Sequence, residues 1–234
     1  MKTTDWPRTG EVHLHCLTLS LETSELTRYE RLFSPDEVAR AKQLKSDRAK
    51  NRYGAGRGML RDILSGYLGI EPADVPLATG EHGKPFLEYG AAEDLRFNLS
   101  HADELLVLAV ASGVDIGIDI ERVKADTPIH DMARLAFSRH EQEELLTLPV
   151  SGQVEAFYRS WVRKEACLKA CGRGFSLPSN SFNVSLSAEA PAMLHVCCNE
   201  AFWHVLDIDV PLGYCAAVAV EARSPYHHIS IVCQ

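Results

Sequence analysis

The 234-residue sequence lacks any apolar stretch close to the roughly 20 residues that a membrane-spanning helix needs. Its longest apolar runs, at 105–111 and 215–220, have the length of strands. The first residues, MKTTDWPRTGEVHLHCL, also lack the apolar core of a signal peptide. These absences argue against a membrane protein, and we expect a soluble protein of the cytoplasm.

Cysteines with the spacing of a disulfide framework or a metal site are missing as well. The seven cysteines are odd in number and irregularly spaced, and no two of them form a Cys-x-x-Cys pair. A secreted disulfide scaffold or a zinc site would show a more regular pattern. We therefore expect small buried residues without a chemical role.

An overall excess of positive charge is also absent, since the formal net charge is -8 at pH 7. This balance argues against general nucleic-acid binding, which depends on contacts to phosphate. The basic residues nevertheless gather in one stretch. Such a stretch indicates a polyanionic ligand or an acidic partner surface, although a solvated helix face has the same composition. Its members are Arg40, Lys42, Lys45, Arg48, Lys50, Arg52, Arg57 and Arg61.

Two helices are predicted within this basic stretch. Ser34 and Glu37 form a capping box, and Pro35 fits the first helical position, so a helix begins here. A longer helix is predicted at about 47–68, although it contains three glycines that each cost about 1 kcal/mol relative to alanine. Close packing of the backbone would explain them, and a break in the helix is the alternative. They are Gly54, Gly56 and Gly58.

The remaining pattern predicts a second round of strands and helices. Strands, helices and strands follow one another twice, which predicts an α+β protein with two halves of similar size, 1–112 and 113–234. The sequences of the halves are not visibly similar. Strands are predicted at 12–21, 95–99, 105–111, 114–121, 181–186, 194–198, 201–207 and 214–221, and further helices at 129–136, 139–146 and 154–170.

Two carboxylates lie on one face of the strand predicted at 114–121. Isoleucines alternate there with Gly117, Asp119 and Glu121. The Cα atoms of Asp119 and Glu121 are roughly 6.5–7 Å apart on a strand, and their charges repel unless a cation lies between them. Carboxylates without histidine or cysteine favour Mg²⁺, Mn²⁺ or Ca²⁺ over zinc. An exposed acidic strand end is the alternative.

The helix predicted at 154–170 carries Trp161, Glu165 and Lys169 on one face, because these residues are four positions apart. Glu165 followed by Lys169 is also the order of an ordinary surface salt bridge, worth about 0.2–0.5 kcal/mol. Trp161 indicates instead that this face is covered or lines a cleft, since tryptophan is seldom solvated.

These motifs resemble those of the surfactin-synthetase-type 4′-phosphopantetheinyl transferases. IGIDIE matches the family's G-[IV]-D-x-E strand, and WVRKEACLKA matches its W-[ST]-x-K-E-[AS]-x-x-K helix, with Val162 in place of the hydroxyl residue. Gly83-Lys84-Pro85 is similar to the family's GKP loop, and FNLSH to its F-N-[IL]-S-H strand end. Ser34-Pro35-Asp36-Glu37 opens the equivalent first helix, with Glu37 where the family can have lysine.

The resemblance implies a fold and an activity. The fold would consist of two similar α+β halves related by a pseudo-twofold axis, with the active site in the cleft between them. The activity would be that of a holo-[acyl-carrier-protein] synthase type 4′-phosphopantetheinyl transferase. Such an enzyme moves the phosphopantetheine arm of coenzyme A to a serine of an apo carrier protein and releases 3′,5′-ADP. A monomer would suffice, because one chain provides both walls of the cleft.

The resemblance also implies the site residues. Asp119, Glu121 and Glu165 would hold Mg²⁺, Glu165 would act as the base for the serine, and Lys169 would neutralise the leaving phosphate. Lys164 points to another side of the helix, where it would either contact the coenzyme or be solvated. The expected coenzyme-binding residues are Arg40, Arg52, Lys84, Pro85, Ser100, His101, Lys164 and Lys169.

The expected partners are coenzyme A and a carrier protein of a fatty-acid, polyketide or non-ribosomal peptide pathway, with neither nucleic acid nor membrane. Two other functions would share parts of this site. A Mg²⁺-dependent phosphohydrolase or nuclease would use the same carboxylates, and a non-catalytic protein would bind coenzyme A or the carrier without turnover.

Overall fold

The computed structural model describes residues 4–80, 84–88, 94–172, 177–187, 192–195, 202–222 and 229–234. Gly83 and the end of the strand predicted at 194–198 lie outside these ranges. Within them, ten strands and six α-helices follow in the order β1 (Glu11–Thr18), α1 (Thr23–Glu30), α2 (Pro35–Gln43), α3 (Asp47–Leu68), β2 (Leu77–Thr79), β3 (Pro85–Leu87), β4 (Leu95–Ala102), β5 (Leu105–Ser112), β6 (Ile116–Arg122), α4 (Ile129–Ala136), α5 (Arg139–Thr147), α6 (Val150–Cys171), β7 (Ala192–His195), β8 (Phe202–Asp207), β9 (Tyr214–Ala222) and β10 (Ser230–Cys233).

Two four-stranded sheets form the frame, and three strands of each share a topology. The first has the order β10-β1-β5-β4, and the second has the order β6-β9-β8-β7. In each half, one strand is followed by helices and then by an antiparallel hairpin, β4–β5 or β8–β9, whose second strand pairs with the first strand. Each half also contains a helix of 22 residues, α3 or α6. The prediction of two similar α+β halves is therefore confirmed.

The central core lies between the two sheets. Ile116, Ile118 and Ile120 of β6 are buried there with side chains of β1, β5 and β9, including Val12 and Val218. Helix α3 covers the other face of the first sheet, and α6 covers the other face of the second. The alternation predicted for β6 is therefore correct: its isoleucines enter the core, and Gly117 and Asp119 face α6.

The glycines of α3 allow close packing and do not break the helix. A Cβ atom on Gly58 would lie 2.0 Å from the ring of Tyr29 in α1, which no side chain tolerates. A Cβ atom on Gly56 would approach the side chain of Leu106 to 3.2 Å. Helix α3 runs without interruption from Asp47 to Leu68 and ends at Gly69, which adopts a left-handed conformation with φ of 67°. The first of the two explanations offered by the sequence is therefore correct.

Four chain segments differ from the sequence-based expectation. Strand β10 was not predicted; it pairs in parallel with β1, so the end of the chain completes the first sheet. The segment 181–186 was predicted as a strand, but it begins in a short 3₁₀ helix (Ser179–Ser181) and pairs with no strand among the described residues. Its backbone groups bond to charged side chains instead: Arg163 binds the carbonyl of Ser185, and Glu141 binds the N–H of Val184. Helix α1 and the β2–β3 hairpin were also not predicted.

No helix among the described residues is long and apolar enough to cross a membrane.

Helix α6 lies unusually close to β6 at Gly117. A Cβ atom on this glycine would lie 2.1 Å from the carbonyl oxygen of Ala166 and 2.3 Å from the backbone nitrogen of Ala170. Both atoms belong to the backbone of α6, so they move only if the whole helix moves. The missing side chain at 117 therefore fixes the distance between strand and helix.

We predict that Gly117→Ala lowers the free energy of unfolding by about 1–3 kcal/mol or more, because the new methyl group meets backbone atoms. Gly152→Ala is the matched control, since a Cβ atom there, also on α6, would have no neighbour within 4 Å. That change should stabilise the helix by roughly 0.5–1 kcal/mol. Urea unfolding monitored by circular dichroism measures both. Equal stabilities of the two variants would contradict the close approach of α6 to β6.

Candidate functional site

A cleft of about 890 Å³ lies between the two halves. Its walls come from α3 and β4 on one side and from α6 and the segment 177–180 on the other. Most of the residues that the sequence singled out lie in its lining: Arg52, Lys84, Pro85, Ser100, His101, Glu165 and Lys169. Trp161 also lines it and packs against Phe157 of the same helix, so this face of the helix lines a cleft, the second of the two alternatives.

Asp119 is the centre of a polar cluster at the junction of β4, β6 and α6. Its Oδ1 atom accepts a hydrogen bond from Ser100 Oγ at 2.9 Å and another from Lys169 Nζ at 2.6 Å. Lys169 Nζ also donates to Ser100 Oγ at 2.8 Å. Asp119 Oδ2 is buried and has no hydrogen-bond partner among the described residues. A buried carboxylate oxygen without a partner is energetically costly, so it is available to a ligand.

Lys169 forms its ion pair with Asp119 and not with Glu165. The surface salt bridge that the sequence allowed as an alternative is therefore not formed. The backbone of Ala166 and Ala170 packs directly against β6 at Gly117. The residues that precede them, Glu165 and Lys169, therefore also lie close to β6. The pairing of Lys169 with Asp119 follows from this packing.

Burial and the negative charge of Asp119 raise the pKa values of the carboxyl groups of Glu121 and Glu165. Burial raises the pKa of Glu165, and the negative charge of Asp119 raises it further. Burial and Asp119 likewise raise the pKa of Glu121, and Glu165 adds to the effect. Lys169 opposes both shifts. Negative charge thus accumulates beyond what one lysine offsets, and a cation would relieve it.

The donor set fits the chemistry of Mg²⁺ without being arranged around it. Three carboxylates are hard oxygen ligands of the kind that Mg²⁺ prefers, and Asp119 Oδ2 has no partner. Among the described residues, however, no group of three or more His, Cys, Asp or Glu side chains has the spacing of a metal site. Lys169 occupies the position of a cation beside Asp119, so the carboxylates would have to rearrange around an ion.

A basic region lines the cleft on α3 and β4. Arg52 donates to Glu104 at 2.8 Å, while its Nε atom is buried without a partner among the described residues. His101 lies nearby, and burial lowers its pKa, with further lowering by Arg52 and Lys169. His101 is therefore an uncharged donor or acceptor at neutral pH, and the positive charge comes from the arginine.

Two side chains connect the halves at the same place. Lys84 Nζ donates to the carbonyl of Ile116 at 3.3 Å and to that of Lys169 at 2.7 Å. The Oδ1 atom of Asn98 accepts a hydrogen bond from the N–H of Ile118 at 2.8 Å and thereby joins β4 to β6. Two of the N–H groups of Lys84 are thus used by backbone carbonyls, and Lys84 both lines the cleft and fixes its walls.

Two expected coenzyme-binding residues lie elsewhere. Arg40 is exposed on α2, where it donates to Gln43. Lys164 is 2% exposed; its ammonium forms an ion pair with the buried Glu141 at 2.9 Å and donates to the carbonyls of Ser179 and Phe182. It is neither solvated nor part of the cleft lining, and it has no N–H left for a phosphate. We therefore remove both residues from the coenzyme-binding set.

Several lining residues were not assigned to the coenzyme from the sequence, although Arg57 is a member of the basic stretch that indicated a polyanionic ligand. Tyr53 and Arg57 lie one and five positions after Arg52 on α3, and helical spacing from Arg52 would have indicated that the same wall includes Gly56 and Leu60. The apolar part of the lining gave no signal, because single apolar residues on helices are normally core. It comprises Leu135, Ala136, Leu168, Leu177 and Pro178.

Comparison with known proteins gives matches over most of the chain. The model of the 4′-phosphopantetheinyl transferase superfamily matches residues 115–219, and that of the 4′-phosphopantetheinyl transferase N-terminal region matches residues 21–113. The 4′-phosphopantetheinyl transferase HetI of Nostoc sp. is 38% identical over 212 residues, which cover 90% of this chain and 87% of HetI.

Two further comparisons are more distant. The 4′-phosphopantetheinyl transferase Sfp of Bacillus subtilis is 29% identical over 199 residues, covering 85% of this chain and 86% of Sfp. The crystal structure of Thermotoga maritima holo-[acyl-carrier-protein] synthase aligns with a TM-score of 0.38 and 22% identity over 47% of this chain and 64% of that chain. This last similarity is too low to support an inference.

The structural role of Lys164 is testable. We predict that Lys164→Met lowers the free energy of unfolding by about 3–5 kcal/mol, because Glu141 would keep a buried charge without a partner. Arg139→Ala is the control, since the pair of Arg139 with Glu143 is exposed and should contribute little. Urea unfolding measures both. A Lys164→Met protein of normal stability that binds coenzyme A weakly would contradict this role.

Proposed function

This chain belongs to the 4′-phosphopantetheinyl transferase family, and we propose that it transfers the phosphopantetheine arm of coenzyme A to a serine of an apo carrier protein. The observation that carries the proposal is the polar cluster at the cleft, where Ser100 and Lys169 both bond to Asp119 and where Glu165 lines the same wall. The similarity to HetI and Sfp favours a surfactin-synthetase-type enzyme. The narrower activity of a holo-[acyl-carrier-protein] synthase is part of the proposal.

The proposed coenzyme-binding residues line the cleft, and all of them except Pro85 have a polar side chain that can bond to the ligand. Arg52 supports this role because its Nε atom is buried without a partner among the described residues, and a guanidinium suits phosphate. Ser100 and His101 contribute hydrogen bonds, and Lys169 contributes charge. Lys84 and Pro85 form the edge of the cleft next to them.

Asp119, Glu121 and Glu165 would hold a Mg²⁺ ion. Two observations support this assignment. Burial and the negative charge of Asp119 raise the pKa values of Glu121 and Glu165, and the buried Oδ2 atom of Asp119 has no hydrogen-bond partner among the described residues. When bound, the ion supplies charge neutralisation and polarisation at the diphosphate of the coenzyme.

The residues of the chain account for the proton and charge movements of the transfer. Glu165 would take the proton from the serine hydroxyl, directly or through water. The serine oxygen forms a bond to the β-phosphorus, and the bond from this phosphorus to the oxygen that bridges it to 3′,5′-ADP breaks. Lys169 stabilises the negative charge that develops on the leaving phosphate.

The proposal extends to organisation and location. The division into 1–112 and 113–234 is supported by the two matched segments, with the reservation that β10 lies in the first sheet. A monomer is supported because one chain forms both walls of the cleft. Location in the cytoplasm is supported by the free thiols of Cys16, Cys167, Cys215 and Cys233, as is usual in a reducing compartment.

Mass spectrometry of the carrier protein tests the proposal. With Mg²⁺ and coenzyme A, an apo carrier protein should gain the mass of one phosphopantetheine group. Glu165→Gln should reduce the rate at least about 100-fold, as expected for loss of a general base. Glu155→Gln is the control, because Glu155 lies on the same helix but is exposed and pairs with Arg159.

Two results would count against a transferase, and a third would count against the assignment of Glu165 as the base. Release of inorganic phosphate without labelling of the carrier would indicate a phosphohydrolase. Binding of coenzyme A without labelling of fatty-acid, polyketide and peptide carriers would indicate a non-catalytic protein. Equal rates for the Glu165 and Glu155 variants would refute the assignment of Glu165.

A further inference from the structure

A buried carboxylate lies between two arginines at the base of α2. Glu37 is 6% exposed and belongs to the capping box of α2, in which its Oε2 atom accepts a hydrogen bond from the N–H of Ser34 at 2.8 Å. Oε2 also accepts two hydrogen bonds from Arg61, at 3.1 and 2.9 Å. Oε1 lies 3.2 Å from Nε of Arg57 in an ion pair. Glu37 therefore connects α2 to two successive turns of α3.

The two arginines have different surroundings. Arg61 is buried, and its Nη1 atom donates to the carbonyls of Pro72, Ala73 and Val75, so its guanidinium is used within the fold. The side chain of Arg57 is 14% exposed and lines the cleft. Its contact with Glu37 is through Nε, which leaves the two terminal nitrogens for another partner.

The charges do not balance at this wall of the cleft. One carboxylate serves two guanidinium groups, so one positive charge remains. Among the residues that the structure describes, no acidic side chain other than Glu37 forms an ion pair with Arg57, whose other contact is with the ring of Tyr53 at 5.8 Å. A positive charge that is largely removed from water and lacks a full partner favours binding of an anion.

We propose that Arg57 binds a phosphate of coenzyme A and that Glu37 is the positioning residue that holds its guanidinium toward the cleft. The inference rests on the proposed function for the identity of the ligand. Arg52 lies on the same wall, so two arginines of α3 would face the phosphates. Glu37 belongs to α2, so α2 would orient the positive charge that α3 provides.

Binding of coenzyme A without carrier protein tests the proposal by calorimetry at a fixed Mg²⁺ concentration. Arg57→Met should lower the affinity for coenzyme A at least about tenfold, which is the effect of losing a hydrogen bond between charged groups. Lys50→Met is the control, because Lys50 is on the same helix, pairs with Asp47 and does not line the cleft. It should leave the dissociation constant within about twofold, since exposed pairs contribute little.

A second ligand identifies the phosphate. If Arg57 binds the 3′-phosphate, Arg57→Met lowers the affinity for coenzyme A but not the affinity for 3′-dephospho-coenzyme A. If it binds the diphosphate, the change weakens both ligands by similar factors. Unchanged affinity for both ligands would overturn the proposal, and so would a wild-type protein that binds neither.

The positioning role of Glu37 needs a variant that keeps its charge. Glu37→Asp shortens the side chain by one methylene group and should lower the affinity for coenzyme A several-fold. In the Arg57→Met protein the same change should not lower the affinity further, because the guanidinium that Glu37 positions is absent. Ser34→Ala is the stability control, because it removes the cap of α2 without altering the arginine contacts. A Glu37→Asp protein with reduced thermal stability but normal affinity would refute the positioning role.

The proposed function and this inference fail separately. If carriers are not labelled but Arg57→Met still weakens coenzyme A, the transferase assignment fails and the anion site stands. If carriers are labelled and Arg57→Met binds coenzyme A normally, the transferase stands and the assignment of Arg57 fails.

Discussion

The contact between β6 and α6 at Gly117 is the constraint on which the rest of the site depends. The helix backbone approaches the strand so closely that even a methyl group would meet the carbonyl oxygen of Ala166 at 2.1 Å. This approach brings Lys169 to Asp119 and Glu165 to the same wall of the cleft. A larger residue at 117 would displace the helix and separate the charges, so the glycine of the G-I-D-I-E motif has a geometric role.

The site is also the joint between the two halves. Asn98 and Ser100 extend from β4 to β6, and Lys84 holds a carbonyl from β6 and another from the last turn of α6. Removal of these groups from water strengthens their interactions and makes unpaired charges costly. The charged cluster around Asp119 is therefore fixed by bonds from both halves, and a ligand that adds positive charge there would also strengthen the joint.

The sequence was sufficient where one element carries its own signal, and insufficient where a partner lies elsewhere in the chain. The start of α2 followed from its capping box, and the faces of β6 followed from periodicity. The direction of Lys164 did not, because its partners are Glu141 on α5 and carbonyls beyond α6. The segment 181–186 has the alternation of a strand, but the side chains of Arg163, Glu141 and Lys164 bind its backbone. Arg57 was predicted only as a member of the basic stretch, and its place in the cleft did not follow from the sequence, since the orientation of α3 is fixed by tertiary packing.

We propose that the packing at Gly117 places Asp119, Glu121 and Glu165 on the two elements that would hold one divalent cation. Electron paramagnetic resonance of Mn²⁺, in the presence of coenzyme A, counts bound ions without requiring turnover. We expect the wild-type protein to bind one Mn²⁺ ion tightly per chain, and we expect the Asp119→Asn protein to lose this ion while it keeps its fold. Equal Mn²⁺ affinity in the two proteins would contradict it.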